Sequence, residues 1–147
     1  MSFFVDTNVV VYARDASEVV KQPKAAAWLA WLWETGRGRL STQVVNEVYV
    51  VLTRKLDPGM STTDARADLD DLAAWRPWPL HAELTSQAWA IEDRFGLSFW
   101  DALIVAAAKA SSCRYLLTED LHDGQDLDGI LVVDPFVHEP QGFVGGS

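Results

Sequence analysis

The sequence has few of the features that mark secreted or membrane-bound proteins. It contains a single cysteine, Cys113, which cannot form a disulfide within the chain, so we expect a reducing compartment. Its longest apolar run, from Ala25 to Trp33, is much shorter than the roughly 20 residues that span a bilayer. The chain does not begin with the basic and apolar segments of a signal peptide. We therefore expect a soluble, cytoplasmic protein without a membrane partner.

Basic residues are also scarce. The 12 Lys and Arg side chains face 21 Asp and Glu side chains, which gives a net charge of −9. Broad, sequence-independent nucleic-acid binding normally requires an excess of basic residues, so the composition argues against it. A nucleic acid that is held briefly and locally remains compatible with this charge. Metal ions bound to some of the acids would cancel part of it.

Apolar residues, by contrast, are plentiful. Hydrophobic residues make up 49% of the 147 residues, and seven of them are tryptophans, which predicts one ordered domain with a substantial core. Short apolar runs predict buried strands at 2–5, 114–117 and 130–133, and Trp78-Pro79-Leu80 predicts a short extended segment. The periodicity between them predicts helices over 7–13, 18–35, 42–55, 62–74, 82–95 and 99–111.

Strands that alternate with helices indicate an α/β fold with a parallel sheet covered on both faces. We expect the domain to occupy residues 1–136. Residues 137–147, which include Gly145-Gly146, are expected to form a flexible C-terminal tail.

Acidic residues follow or begin several of these elements. Asp6 and Asp120 follow predicted strands, Asp101 begins a predicted helix, and Glu47 lies at the margin of an apolar helix stripe. If these four side chains converge, each pair roughly 5 Å apart costs about 3 kcal/mol at an effective dielectric of about 20. Such a cluster is favourable mainly when a divalent cation occupies it.

Each acid alone also fits an ordinary structural role. Asp6 is a suitable helix cap, Glu47 a solvated side chain and Asp120 a turn residue, while Ser98 and Asp101 match a capping box. The joint pattern points more specifically to a cation. Oxygen ligands favour Mg²⁺ or Mn²⁺, and three scattered histidines with one cysteine argue against zinc.

The residues around the four acids resemble the motifs of a known family. The chain is similar to the PIN domain, in the VapC-type toxin group, in four segments that occur in the family's order: Asp6-Thr7-Asn8, Gln43-Val44-Val45-Asn46-Glu47, Ser98-Phe99-Trp100-Asp101-Ala102 and Leu117-Thr118-Glu119-Asp120-Leu121. The resemblance implies a three-layer α/β/α fold around a mostly parallel sheet ordered 3-2-1-4-5. It also implies an Mg²⁺- or Mn²⁺-dependent endoribonuclease in which a metal-activated water hydrolyses RNA, and a homodimer inhibited by a cognate antitoxin.

The resemblance assigns roles to individual residues. Asp6, Glu47, Asp101 and Asp120 match the catalytic acids and are called the acidic quartet below. Asp6 and Asp101 are expected to bind the metal directly, and Glu47 and Asp120 through water or at a second metal. Supporting roles fall to Asn8, beside the first acid, and to the Thr118 hydroxyl. For the fourth acid, Glu119 and Asp123 are neighbouring alternatives to Asp120.

Two other functions remain open at this stage. Phe4-Val5-Asp6-Thr7-Asn8 resembles the nucleophile strand of haloacid-dehalogenase-like phosphatases, although Asn8 replaces the second Asp that such chemistry uses. A catalytically inert PIN-like module retained for protein binding is the other alternative.

For contact with RNA phosphates the candidates are Arg14, Arg37, Arg39, Arg54 and Lys55.

Overall fold

A central sheet flanked by helices forms the core of the protein. In the computed structural model, which describes residues 1–143, the strands are β1 (Phe3–Val5), β2 (Gly38–Arg39), β3 (Tyr115–Leu117), β4 (Asp126–Leu127) and β5 (Ile130–Val133). The helices are α1 (Thr7–Arg14), α2 (Lys21–Thr35), α3 (Thr42–Val50), α4 (Thr62–Asp71), α5 (Ala82–Phe95) and α6 (Phe99–Ala110). The predicted α/β class with a mostly parallel sheet is confirmed.

The strands lie in the order β2-β1-β3-β5-β4. Only β4 runs antiparallel to its neighbour, and the other pairs are parallel. The implied order 3-2-1-4-5 uses a different strand numbering. Its strands 2, 1, 4 and 5 correspond to β2, β1, β3 and β5. Its outermost strand 3 is reduced here to a single parallel bridge between Ser41 and Trp78. Pro79 cannot donate a ladder hydrogen bond, which limits that segment to the sheet edge.

Several helix boundaries differ from the prediction for local reasons. Helix α2 begins at Lys21 rather than at residue 18, which places Pro23 in its first turn, where the missing N–H costs nothing. The helix predicted over 42–55 is α-helical to Val50 and continues as a π-helical turn over Val51–Lys55. The helix predicted over 62–74 ends at Asp71 and continues as a 3₁₀ turn over Leu72–Trp75.

The core lies on both faces of the sheet. Phe3, Phe4 and Val5 are fully buried, as expected for a parallel strand with helices on both sides. Helix α6 is buried continuously from Ala102 to Ala108. Trp28 of α2 is also buried.

The chain beyond β5 packs on the domain as far as it is described. A 3₁₀ turn covers Pro140–Phe143, and the Phe143 ring lies 5.3 Å from that of Phe3 and 5.2 Å from that of Tyr115. The tail residues 144–147 lie outside the described residues, and the domain boundary at 136 stays a prediction. No helix within residues 1–143 has the length and apolar character needed to cross a membrane.

Candidate active site

The parallel pairing of β1 with β3 brings two polar residues together at one edge of the sheet. Val5 pairs with Leu117, so Asp6 and Thr118, the next residues of the two strands, are adjacent. The Thr118 hydroxyl donates to Asp6 Oδ2 over 2.9 Å. This edge, at the carboxyl ends of the strands, is where open α/β sheets place ligands.

Asp6 is the most buried acid of the quartet, with 6% of its surface exposed. Its Oδ1 accepts the Thr7 amide at 2.7 Å, so Asp6 does cap α1, as one of the two predicted roles requires. Burial raises its pKa from 3.8 to about 7, and the Asp120 and Asp101 carboxylates add to the rise. Hydrogen bonds from Thr118 and Thr7 oppose it.

Asn8 connects the first acid to the fourth. Its amide nitrogen lies 3.4 Å from Asp6 Oδ2, 3.1 Å from the Thr118 hydroxyl and 3.0 Å from Asp120 Oδ2. Its amide oxygen accepts the Glu119 backbone N–H at 3.4 Å. Asn8 and Thr118 therefore hold Asp6 and Asp120 in a fixed relation.

Glu47 reaches the same place from α3. Its Oε2 accepts the Thr7 hydroxyl at 2.6 Å, and its Oε1 accepts the Gln43 amide at 3.0 Å. The side chain is half-buried, in agreement with its position at the margin of the apolar stripe. Two neutral donors thus orient the carboxylate without neutralising it.

Asp101 lies in the first turn of α6. Its backbone N–H donates to the Ser98 hydroxyl at 3.2 Å, which is one half of the predicted capping box. Burial raises the pKa of Asp101, and the carboxylates of Asp120 and Glu47 raise it further, while Ser98 lowers it. Asp120 therefore lies close enough to raise the pKa of both Asp6 and Asp101, and Glu47 close enough to raise that of Asp101.

These side chains line an open cleft of about 460 Å³, called the carboxylate cleft below. Within the described part of the chain, the lining residues include six acids and no Lys, Arg or His. The acids are Asp6, Asp15, Glu47, Asp101, Glu119 and Asp120.

A divalent cation fits this donor set. A buried carboxylate with a strongly raised pKa has no cationic side chain among its hydrogen-bond partners, and a cation would supply the missing charge. Within residues 1–143, no three Asp, Glu, His or Cys side chains are grouped closely enough to form a complete metal site. Mg²⁺ keeps several waters and takes one or two carboxylates directly, so it requires fewer side-chain ligands than a group of three.

The structure separates the three candidates for the fourth acid. Asp120 lines the cleft and bonds Asn8, whereas Glu119 lines it but pairs with Lys21 at 2.8 Å. Asp123 accepts the Asp134 amide at 2.9 Å and contacts His138 at 2.8 Å instead. Asp120 is therefore the acid of the three that is both in the cleft and without a basic partner there.

The candidate phosphate contacts also separate. Arg14 pairs with Asp68 at 2.6 Å, and Arg39 donates to the Gly36 and Gly38 carbonyls. Arg37 donates to the carbonyls of Met1 and Phe143. Arg54 is exposed. Lys55 is exposed too and lines a depression with Thr7 and Glu47, beside the carboxylate cleft.

Three supporting contacts of the site were not identified from the sequence, and one is the bond from the Thr7 hydroxyl to Glu47, 40 residues away. Gln43 is buried and binds Glu47 one helical turn away; its position four residues before Glu47 was the available signal. Lys21 neutralises Glu119 across a separation of 98 residues, which no local pattern indicates.

Comparison with known proteins agrees with these observations. The model of the PIN domain family matches residues 3–122, a range that includes the whole quartet. No curated protein matches the chain.

Several solved structures share the fold. A toxin–antitoxin complex from Klebsiella pneumoniae is 20% identical with a TM-score of 0.66, covering 95% of this chain and 99% of the other. A VapC toxin of Mycobacterium tuberculosis that cleaves the sarcin-ricin loop is 24% identical with a TM-score of 0.61, covering 78% and 87%. A VapBC complex of Rickettsia felis bound to promoter DNA is 17% identical with a TM-score of 0.58, covering 90% and 97%.

Proposed function

The chain belongs to the PIN domain family, and we propose that it is a metal-dependent endoribonuclease, the toxin of a toxin–antitoxin pair. One observation carries the proposal: six acids and no basic side chain line a single cleft at the carboxyl edge of the sheet. The structural likeness to toxins of this type adds support.

The acidic quartet would hold the cation. Asp6 and Asp101 would bind it directly, because burial and neighbouring carboxylates disfavour their charged forms in its absence. Glu47 and Asp120 would act through water. When bound, Mg²⁺ or Mn²⁺ would lower the pKa of a coordinated water and place positive charge beside the phosphate oxygens.

The remaining residues of the site would keep the acids in position. Asn8 and Thr118 hold Asp6 and Asp120, while Thr7 and Gln43 hold Glu47. Fixed acceptors avoid the cost of reorganisation during the reaction. The proposal includes no covalent intermediate with the protein, since the water is the nucleophile.

The partners follow from the same proposal. The substrate is RNA, for which Lys55 beside the cleft would supply a phosphate contact. A cognate antitoxin would lay an apolar face over the amino-terminal helices and insert a basic side chain among the acids, where it would compete with the cation. We propose that the toxin is a homodimer and acts in the cytoplasm, where both partners would be present.

Cleavage of RNA by the purified protein tests this function. We expect cleavage of total cellular RNA with Mn²⁺ or Mg²⁺, and none after treatment with EDTA. Asp6→Asn and Asp101→Asn should each lower the rate by at least about 100-fold, since each removes a charge that would bind the cation.

Matched variants keep the test specific. Asp70→Asn removes an acid of α4 that does not line the cleft and should cleave RNA at the wild-type rate. Intact RNA together with hydrolysis of a small phosphoester would instead indicate a phosphatase. Inertness toward both substrates would indicate a protein-binding module.

The phosphatase alternative has no support in the geometry. Asn8 occupies the position of the general acid, and its amide nitrogen lies within 3.4 Å of three oxygen acceptors, so it holds other groups in place. A neutral amide is also far too weak an acid to protonate a leaving group. The binding-module alternative is disfavoured by the retention of the whole quartet at one cleft.

A further inference from the structure

Trp100 is the one large aromatic side chain that is both exposed and part of the lining of the carboxylate cleft, within the described residues. It exposes 60% of its surface and immediately precedes Asp101 in the chain. An indole at this degree of exposure gains little from packing, so its place in the fold needs another explanation.

The backbone of Trp100 is connected to one of the acids through Gln43. Its backbone carbonyl accepts the Gln43 amide at 3.4 Å, and the same amide nitrogen donates to Glu47 at 3.0 Å. The Phe99 ring braces the indole at a centroid distance of 5.2 Å and an interplanar angle of 71°. The Trp100 backbone is thus held through Gln43 to Glu47, and the indole contacts Phe99 in a cleft that Glu47 and Asp101 also line.

The charge of the cleft limits how RNA can gain affinity there. The protein carries a net charge of −9 and no basic side chain lines the cleft, so ion pairs between lining residues and phosphates are excluded. Stacking of a base on an aromatic ring requires no charge, and it tolerates any base because every base has a π-face.

We propose that Trp100 is a substrate-binding residue, on which an unpaired base of the RNA next to the scissile phosphate stacks. The inference rests on the proposed ribonuclease function and adds to it a preference for single-stranded RNA around the cut. A base in a continuous helix is already stacked and cannot take this position without being displaced.

Steady-state cleavage of a single-stranded RNA oligonucleotide, with its cut site mapped first, tests the proposal. Trp100→Ala should lower kcat/KM roughly tenfold, mainly through KM, which is within the range of one lost base stack. Trp100→Tyr should retain most of the activity because the ring remains. Trp89→Ala is the matched control: Trp89 exposes 56% of its surface on α5 and does not line the cleft.

An abasic substrate identifies the partner of the ring. Removing the base beside the cut should slow the wild type about as much as Trp100→Ala does, and should slow Trp100→Ala no further. Additive losses, or equal kcat/KM for Trp100→Ala and the wild type, would overturn the stacking proposal while leaving the ribonuclease intact. A change of oligomeric state in Trp100→Ala at unchanged cleavage would also overturn it, because the ring would then cover a second copy. Absence of cleavage by the wild type would overturn both proposals.

Discussion

At the scale of single residues, Asp6 is the acid of the site whose pKa is most clearly raised. Its pKa is raised from 3.8 to about 7 in the folded protein, so between these values the folded state holds a proton that the unfolded state has released. The corresponding stability is fully present below about pH 4 and is lost as the pH rises through about 7. Without metal, the free energy of unfolding should therefore fall by about 4 kcal/mol over this window on account of Asp6.

Chemical denaturation in EDTA at several pH values measures this loss. Asp6→Asn should remove most of the fall, because the amide does not titrate. Added Mn²⁺ should raise the stability of the wild type more at pH 8 than at pH 5, since the cation binds the ionised carboxylates. An identical pH profile for wild type and Asp6→Asn would contradict this description of the site.

The identity of the fourth acid is also a question at this scale. Asp120 is bound to Asn8 at the cleft, whereas Asp123 is engaged by His138 and the Asp134 amide. We predict that Asp120→Asn lowers the rate of RNA cleavage about tenfold or more, as expected for an acid that binds the cation through water. Asp123→Asn should cleave RNA at nearly the wild-type rate, and the reverse order in this assay would reassign the residue.

Lys55 allows a further test at the same scale. It is exposed beside Glu47 and the cleft, where a phosphate of bound RNA would meet its ammonium group. Lys55→Ala should weaken RNA binding and lower the slope of log affinity against log salt by about 0.7, the value for one phosphate contact to a single strand. Lys24→Ala is the control, because Lys24 is exposed and does not line the cleft, and it should leave the slope unchanged. Equal slopes for the wild type, Lys55→Ala and Lys24→Ala would rule out the contact between Lys55 and a phosphate.

At the scale of elements, the sequence predicted long periodic segments well and short ones poorly. Helix α5 was predicted with its observed bounds, because Gly96 marks its end. Strand β2 was missed because its two residues, Gly38 and Arg39, are too few to show an alternation of apolar and polar side chains. Strand β4 was missed although Asp128-Gly129, with positive φ at both residues, is a recognised signal for a tight hairpin turn.

In the candidate site, the acidic residues could be predicted from the sequence, but not all of the residues that support them. The acids at strand and helix ends could be named because element ends and residue type are both local properties. Their supports could not all be named, since Thr7 reaches Glu47 across 40 residues and Lys21 reaches Glu119 across 98. Such pairs depend on how α1 packs against α3 and how α2 lies beside the segment after β3, which no short window of sequence contains.

Packing around β2 gives a prediction at the element scale. A Cβ atom at Gly38 would come within 2.7 Å of the Trp75 ring, so β2 can lie under this indole only with glycine there. Gly38→Ala should lower the free energy of unfolding by about 1–3 kcal/mol, the usual cost of overpacking. Gly142→Ala, at a site with nothing within 4 Å, is the control in the same denaturation experiment, and equal stability of both variants would contradict the packing.

At the scale of the whole molecule, the net charge determines which partners the protein attracts. A net charge of −9 favours a basic partner and opposes long-lived association with RNA. The proposed antitoxin fits the first of these conditions by placing a basic side chain in the carboxylate cleft. Replacing that side chain by Ala in the cognate antitoxin should restore RNA cleavage by the complex. Full inhibition at unchanged affinity would show that insertion is not the inhibitory step.

The central claim is that the acidic quartet holds a divalent cation at the carboxyl edge of the sheet. Anomalous scattering from crystals of the protein soaked in Mn²⁺ tests it most directly. We expect a manganese peak in the carboxylate cleft, within coordination distance of oxygens of Asp6 and Asp101, and no such peak in Asp6→Asn. A wild-type crystal with no manganese there, or with manganese only at an acid outside the cleft, would contradict the account.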